Sequence, residues 1–303
     1  MGVGRWPSRA LVLMGVVLSI VSVGVLSASA GASTTGAVIP SYYVDVGGSA
    51  SVGEQPTVLH PRGQPTDHGY SNDVAAALAQ RWPGLRLIEM GCPGATTMTV
   101  LDGGGGCPYR DGTQLADTLD FLHQHPVPVL ITVDLGFNDL RACFRDEVVD
   151  DACVAQTIAT VRVQLPTILS EIKAAAAPGS EMIGIGHDDP YLGRYLDGLA
   201  GQTFARDSEN AVLELDDTLR RTYGAFGFPM ANVAARYDMT DSHPADVDGL
   251  HVPLNVARAC SLTWMCAPKP YGPNQHPNDQ GYSVIAQAVL SLVDSWAGSS
   301  ASH

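Results

Sequence analysis

The sequence predicts a three-layer α/β/α sandwich around a mainly parallel sheet. Segments with strand character alternate with segments of helical periodicity, which is the order that produces parallel sheets. The clearest strand, residues 127–135 (VPVLITVDL), is a continuous apolar run of the kind that such sheets bury on both faces. Three strands also end in loops with glycine and polar side chains, where open α/β folds place their ligands.

The first strand is expected at residues 42–46, which are rich in tyrosine and valine and stop at two glycines. A helical pattern at 73–82 (DVAAALAQRW) ends at Pro83-Gly84 and leads to a strand at 85–90. A helix at 113–123 precedes the strand at 127–135. The remaining elements are helices at 155–177 and 204–226, strands at 181–186 and 232–237, and a closing amphipathic helix at 283–296.

The first 30 residues have the features of a secretory signal peptide. Arg5 and Arg9 precede an apolar run at residues 10–26, and small residues then end at Ala30 in an A-x-A pattern. The run nears spanning length, so an uncleaved anchor is the alternative, but its glycines and small-residue end favour cleavage. We therefore expect an exported protein, secreted or in the cell envelope, with a single domain at residues 31–303.

The composition limits the partners of this chain. Its formal net charge is −14, and it becomes −16 without the two arginines of the predicted signal. Such a balance disfavours nucleic acids and anionic lipid surfaces, because no basic footprint exists to neutralise phosphate. A chain of 303 residues with 45% hydrophobic content can bury a full core. We expect one domain, and a monomer.

Six cysteines follow the predicted signal: Cys92, Cys107, Cys143, Cys153, Cys260 and Cys266. An even number in an exported chain favours three disulfides, with sequence neighbours closing three short loops. A zinc site is the alternative, but the chain has no C-x-x-C pair.

Four loops place candidate functional residues in order along the chain. Ser49 follows a Gly-Gly pair, Gly94 lies in CPGATT, Asn138 in GFND, and His276 in the proline-stiffened HPNDQGY. Three of these loops follow parallel strands, so they meet at one edge of the sheet. A hydroxyl, an imidazole and fixed N–H donors are the groups that acyl transfer requires. An ordinary loop is the alternative for Gly-Gly-Ser alone.

The order of these blocks resembles that of the SGNH hydrolases, the GDSL-type esterases and lipases. The blocks span residues 45–282, and the chain is most similar to the secreted actinobacterial branch with three disulfides. The resemblance implies a flavodoxin-like fold and hydrolysis of carboxylic esters without a cofactor. It also implies three disulfide pairs: Cys92 with Cys107, Cys143 with Cys153, and Cys260 with Cys266.

The resemblance further assigns a role to each loop. Ser49 would be the nucleophile, and His276 would take its proton and later return it. The oxyanion hole would combine the backbone N–H groups of Ser49 and Gly94 with the side-chain amide of Asn138. The substrate would be a small-molecule, lipid or acylated-glycan ester.

Two positions depart from the family pattern. Gly48 stands where the family usually has an aspartate beside the nucleophile, and Pro273 stands where its Asp-x-x-His block has the aspartate. Because some family members orient the imidazole with a backbone carbonyl, the resemblance makes the carbonyl of Pro273 the expected acceptor. A neutral carbonyl can fix the tautomer but stabilises imidazolium less than a carboxylate does.

The segment 241–251 offers alternatives. Asp248-Gly249-Leu250-His251 is literally Asp-x-x-His, but a cysteine-closed loop follows it rather than the closing helix, so we favour His276 as the base. The same segment has enough carboxylates and imidazoles for a cation, or it is simply solvated. His187-Asp188-Asp189 follows a strand and is expected to cap a helix, with pocket lining as the alternative.

Two other functional classes remain as alternatives. A non-catalytic binding domain on the same scaffold is plausible because both usual aspartates are missing. A nucleotide or flavin protein is disfavoured, because the chain lacks phosphate-binding glycine spacing and basic residues near the strand ends. No metal or other cofactor is expected.

Overall fold

The computed structural model describes residues 1–2, 39–145, 147–247 and 249–300. Apart from its first two residues, the predicted signal peptide lies outside the described residues. The described residues from 39 onward belong to one compact unit.

The strands alternate with helices, as the sequence predicts. The strands are β1 (Tyr42–Gly47), β2 (Arg86–Glu89), β3 (Val129–Asp134), β4 (Phe144–Arg145), β5 (Val148–Val149), β6 (Glu181–Ile185), β7 (Met230–Ala231), β8 (Pro244–Val247) and β9 (Leu250–Pro253). The helices are α1 (Tyr70–Arg81), α2 (Thr97–Asp102), α3 (Gln114–Gln124), α4 (Phe137–Arg141), α5 (Asp151–Ala175), α6 (Gly198–Phe226), α7 (Val233–Arg236), α8 (Leu254–Leu262) and α9 (Asp279–Ser300). A 3-10 helix covers Pro190–Asp197.

Five strands form the central sheet in the order β2-β1-β3-β6-β7, and each neighbouring pair is parallel. This is the flavodoxin-like order, in which the direction of strand addition reverses between β1 and β3. The strand pairs β4-β5 and β8-β9 form separate antiparallel hairpins. The predicted parallel sheet between helices is therefore confirmed, and the reversal puts a natural crevice at the carboxyl ends of β1 and β3.

The central strand β3 is buried on both faces, as its apolar run predicts. Val129, Ile131 and Val133 pack into a core with apolar side chains of α3, α5 and α6. Leu130 points to the opposite core, which α1 and α9 cover. The alternation of side chains along one strand thus fills both outer layers of the sandwich.

Helix α5 is the one described helix that is long and apolar enough to cross a membrane by length and composition alone. Its fully or nearly buried residues repeat at helical spacing: Val154, Ile158, Val161, Leu165, Ile168, Leu169 and Ile172. These residues belong to the core beside the sheet. The pattern is typical of a core helix with one apolar face.

The C-terminal third differs most from the sequence prediction. The strand expected at 232–237 is wrong, because β7 ends at Ala231 and α7 follows at once. The side chain of Asn232 accepts a hydrogen bond from the N–H of Ala235 at 3.2 Å and so begins a helix. The segment after His251 forms α8, which leads into the short loop that Cys260 and Cys266 close.

Candidate active site

Ser49 lies in the turn that follows β1, at the carboxyl edge of the sheet. Two hydrogen bonds close this turn. The hydroxyl of Ser51 donates to the Gly48 carbonyl at 2.9 Å, and the N–H of Glu54 donates to the Ser49 carbonyl at 3.0 Å. Ser49 itself is half-buried and lines a cleft, so its hydroxyl is available to a ligand.

Close packing at the end of β1 accounts for the two glycines before Ser49. A Cβ atom at Gly47 would lie 2.9 Å from the Cβ of Asp134, and one at Gly48 would lie 2.9 Å from Nδ2 of Asn138. Both separations are shorter than packed atoms tolerate. An aspartate at position 48 would therefore displace the Asn138 amide, and the glycine lets that amide approach the backbone.

Asn138 lies in α4, shortly after β3, and Gly94 lies in the loop after β2; both line a cleft together with Ser49. Gly94 has a φ of +80°, a left-handed conformation that favours glycine. Nδ2 of Asn138 donates to the carbonyl of Ala95 at 3.1 Å. An amide nitrogen has two N–H groups, so the second one can donate to a ligand in the cleft.

Asp139 ties the Asn138 helix to the loop that carries Gly94. Its carboxylate accepts a 2.6 Å hydrogen bond from the hydroxyl of Thr97, and each of its oxygens lies 3.1 Å from the Thr97 N–H. Thr97 is the first residue of α2, where an unpaired N–H favours a carboxylate. Asp139 was not among the predicted site residues, although it directly follows Asn138 in the GFND block.

His276 is buried, and its ring is oriented by Asn274 rather than by the predicted carbonyl of Pro273. Oδ1 of Asn274 lies 2.8 Å from Nδ1 of His276 and accepts the His276 backbone N–H at 2.9 Å. Nδ2 of Asn274 donates to the carbonyls of Pro61 at 3.3 Å and Arg62 at 3.1 Å. These donations fix the amide with its oxygen toward the imidazole. Nδ1 therefore carries the proton, and Nε2 is the free basic nitrogen.

The surroundings of His276 disfavour its charged form. Burial, and then the positive charge of Arg141, lower the pKa of His276 to about 4. The ring is therefore neutral at pH 7, as a general base must be before it accepts a proton.

Two clefts meet at Ser49, Asn138, Gln275 and His276. One has apolar walls that include Leu135, Phe137 and Pro190. The other is more polar and includes Glu54, Arg62 and Arg141. A molecule bound at Ser49 can thus extend in two directions, one apolar and one polar.

The loop after β6 serves both of the purposes considered for it. Asp189 accepts the N–H of Tyr191 at 2.9 Å and so caps the 3-10 helix. His187 and Asp188 line the apolar cleft. Nε2 of His187 lies 3.2 Å from the carbonyl of Leu135, and burial raises the pKa of Asp188 to about 7.

His251 lies in the β8-β9 hairpin, away from these clefts among the described residues. Its side chain is 77% exposed, and its Nδ1 lies 2.8 Å from Oδ1 of Asp246. Asp248, the acid of the alternative Asp-x-x-His motif, lies outside the described residues. Within the described ranges, no group of three or more His, Cys, Asp or Glu side chains could hold a metal ion.

All six cysteines form disulfides in the pairs that the resemblance implies: Cys92 with Cys107, Cys143 with Cys153, and Cys260 with Cys266. The second disulfide links the segment after α4 to the first turn of α5. The third lies beside the loop that carries His276, where the N–H of Trp264 donates to the His276 carbonyl at 3.0 Å.

A hydroxyl, a neutral imidazole and amide donors thus converge at the carboxyl edge of a flavodoxin-like sheet, which is the set of groups that serine hydrolases use for acyl transfer. The chain belongs to the GDSL-like lipase/acylhydrolase family, whose model matches residues 46–284. This membership supports hydrolysis of carboxylic esters. No curated protein matches the chain at a significant level.

The chain is similar to solved structures at low sequence identity. Phospholipase A1 from Streptomyces albidoflavus NA297 is 19% identical, with a TM-score of 0.50 over 82% of this chain and 98% of that one. Est24, a carbohydrate acetylesterase from Sinorhizobium meliloti, is 14% identical, with a TM-score of 0.48 over 84% of this chain and 98% of that one. The aryl esterase of M. smegmatis is 16% identical, with a TM-score of 0.45 over 84% and 99%.

Proposed function

We propose that this chain is an exported serine esterase that cleaves carboxylic esters through an acyl-enzyme. The observation that carries the proposal is that Ser49, Asn138 and His276, from three distant segments, line the same clefts, with Nε2 of His276 as the free nitrogen. The family membership supports the reaction class.

In the proposed mechanism, Ser49 Oγ attacks the ester carbonyl while Nε2 of His276 takes the hydroxyl proton. The negative charge on the carbonyl oxygen is met by the backbone N–H groups of Ser49 and Gly94 and by the Asn138 amide. The imidazolium then gives its proton to the departing alcohol. Water, deprotonated by the same imidazole, releases the acyl group and restores Ser49.

The two clefts suggest how the substrate is divided. An acyl chain suits the cleft with Leu135, Phe137 and Pro190, because its walls are apolar. The polar cleft then takes the alcohol portion. Lipid esters and acylated glycans both fit this division.

Export and oligomeric state are part of the same proposal. The predicted signal at residues 1–30 and three disulfides support a secreted or envelope protein of the actinobacterial three-disulfide branch. We propose that the mature protein acts as a monomer and needs no cofactor.

A chromogenic short-chain acyl ester tests the proposal, with Ser49→Ala as the control. The unaltered protein should hydrolyse the ester, and Ser49→Ala should lose activity by about a thousandfold or more, because the nucleophile is removed. Equal rates for the two proteins would contradict the proposal and leave a ligand-binding domain on the same scaffold.

A further inference from the structure

The proposed base has an environment that opposes the charge it must acquire. When His276 takes the Ser49 proton, an imidazolium forms in a buried position near the guanidinium of Arg141. Asn274, which orients the ring, is a neutral amide and offsets little of that cost. The position three residues before His276, where the family has an acid, holds Pro273. A stabilising negative charge must therefore come from elsewhere in the fold.

Glu54 supplies a carboxylate at the opposite side of the ring. Its Oε2 lies 3.5 Å from Nε2 of His276, and the two side chains are only 14% and 9% exposed. Among the described residues, Glu54 is the one acid with a carboxylate oxygen within 4.0 Å of a ring nitrogen of His276. Nε2 is the nitrogen that becomes protonated, because Asn274 occupies Nδ1. The carboxylate is thus next to the atom on which the charge forms.

Contacts with the nucleophile turn and with helix α9 fix the position of Glu54. Its N–H donates to the Ser49 carbonyl at 3.0 Å, and its carbonyl accepts the hydroxyl of Tyr282 in α9 at 2.8 Å. The carboxylate also lies close against Gly63, where a Cβ atom would come within 2.6 Å of Oε1. The residue is therefore fixed between the nucleophile turn and the closing helix, and it does not project freely from a surface loop.

We propose that Glu54 is the carboxylate partner of His276 and stabilises the imidazolium that forms when Ser49 loses its proton. This inference rests on the proposed esterase function. Glu54 acts as a positioning residue: the proton moves from Ser49 Oγ to Nε2, and the carboxylate of Glu54 takes no proton in this step. Burial raises the pKa of Glu54, so its effect on His276 belongs to the pH range in which the carboxyl group is ionised. Glu54 replaces, from the nucleophile side, the acid that the Asp-x-x-His block lacks.

Titratable and charged groups line the two clefts around His276 from several elements. Glu54 follows the nucleophile turn and Arg141 ends α4, and both line the polar cleft with Arg62. Asp134 at the end of β3 lines the apolar cleft, as do His187 and Asp188 from the loop after β6. Arg141 and Glu54 act on the imidazolium with opposite sign, since one repels and the other attracts positive charge. Their removal should therefore shift His276 in opposite directions.

The test is an NMR titration of the His276 imidazole in the full chain carrying Ser49→Ala, which needs no turnover. The His276 signal is assigned by its loss in His276→Gln. Glu54→Gln, which is nearly isosteric, should lower the pKa of His276, because the ring loses the carboxylate beside Nε2. The carboxyl carbon of Glu54 is followed in the same titration, because burial raises the pKa of Glu54 and only its ionised form attracts the imidazolium. Arg141→Gln should raise the pKa of His276. Glu54→Asp keeps a shorter carboxylate, so its His276 pKa should lie between those of the unaltered protein and Glu54→Gln.

Activity gives the second readout, on the protein with Ser49 intact. Glu54→Gln should lower kcat by about tenfold, leave KM little changed and move the acid limb of the pH profile to lower pH. An unchanged His276 titration in both Glu54 variants would overturn the proposal, even if the esterase is active. A shifted titration in a protein without esterase activity would instead contradict the proposed function alone. If Glu54→Gln does not fold, Glu54→Asp decides the matter by the same titration.

Discussion

At the scale of single residues, Asn274 orients the imidazole of His276, a contact for which the resemblance implied a backbone carbonyl in place of the usual aspartate. Its oxygen accepts from both Nδ1 and the backbone N–H of His276, while its nitrogen donates to two carbonyls of the segment 61–62. The amide thus selects the tautomer as a carboxylate would. It contributes no charge to oppose burial and the positive charge of Arg141, which lower the pKa of His276.

Asn274→Ala should lower kcat by about a hundredfold, because the ring would lose the acceptor that keeps the proton on Nδ1. Steady-state kinetics on a chromogenic ester measures this effect, and the unfolding midpoint checks that the variant is folded. A kcat within twofold of the unaltered protein would show that Asn274 does not orient the base.

Asn274→Asp provides the matched comparison, since it keeps the oxygen that faces Nδ1 and adds a negative charge. The charge should raise the pKa of His276 and move the acid limb of kcat/KM to higher pH. The variant also loses the donations to the Pro61 and Arg62 carbonyls, so its stability should fall. An acid limb at the same pH as in the unaltered protein would argue against the contact.

At the scale of elements, the short helices α2 and α4 act as one unit. Asp139 in α4 accepts from the backbone and the hydroxyl of Thr97 at the start of α2, and Asn138 donates to the Ala95 carbonyl just before it. These contacts hold the loop of Gly94 and the amide of Asn138 in a fixed relation. A preorganised pair of donors is what an oxyanion hole requires.

Asp139→Ala should therefore lower kcat by about tenfold with little change in KM, because the two loops would lose their common anchor. Asp102→Ala is the control, since it removes an exposed carboxylate at the other end of α2. Michaelis–Menten kinetics on both variants decides the point. Equal kcat values for the two variants would contradict a positioning role for Asp139.

The long elements were predictable from the sequence because their periodicity and their breaks are local. The apolar run of β3 and the Pro-Gly after α1 are visible in a few residues. The short helices were not predictable in this way. Asn232 begins a helix where the pattern favoured a strand, and α2, α4 and α8 lack a long periodic stretch.

The site also contains residues that the sequence predicts and residues that it does not. The loops of Ser49, Gly94, Asn138 and His276 could be found because each is a glycine or proline break after or before an element. Asn274 and Glu54 could not be assigned, because their roles depend on contacts across the chain. Asn274 is fixed by residues 61–62, and Glu54 meets a ring more than two hundred positions away.

At the scale of the whole molecule, burial changes how stability depends on pH. Burial raises the pKa values of Asp45, Asp188 and Asp189 to about 7 each. In the unfolded chain these groups have the usual pKa of about 3.9, so between about pH 4 and pH 7 the folded protein binds more protons than the unfolded chain. Their contribution to the free energy of unfolding is fully present below about pH 4 and is lost as the pH rises through 7. His276 acts in the opposite direction, since its pKa is lowered to about 4.

The three carboxyl groups outnumber the one imidazole, so the free energy of unfolding should be larger at pH 5.5 than at pH 8. Urea unfolding at the two pH values, with the disulfides intact, measures the difference. Asp188→Asn should make this difference smaller, because it removes one of the three titrating carboxyl groups. Oδ2 of Asp188 is buried and has no hydrogen-bond partner in the described structure. A stability that rises from pH 5.5 to pH 8 would contradict the assignment of these carboxyl groups as protonated.

The proposed mechanism depends on one hydroxyl, that of Ser49, as the group that attacks the substrate. Treating the purified protein with an alkyl fluorophosphonate and mapping the adduct by mass spectrometry of its peptides identifies this group. We expect one adduct, on Ser49, and none in Ser49→Ala. An adduct on another side chain, or ester hydrolysis that persists in Ser49→Ala, would contradict this mechanism.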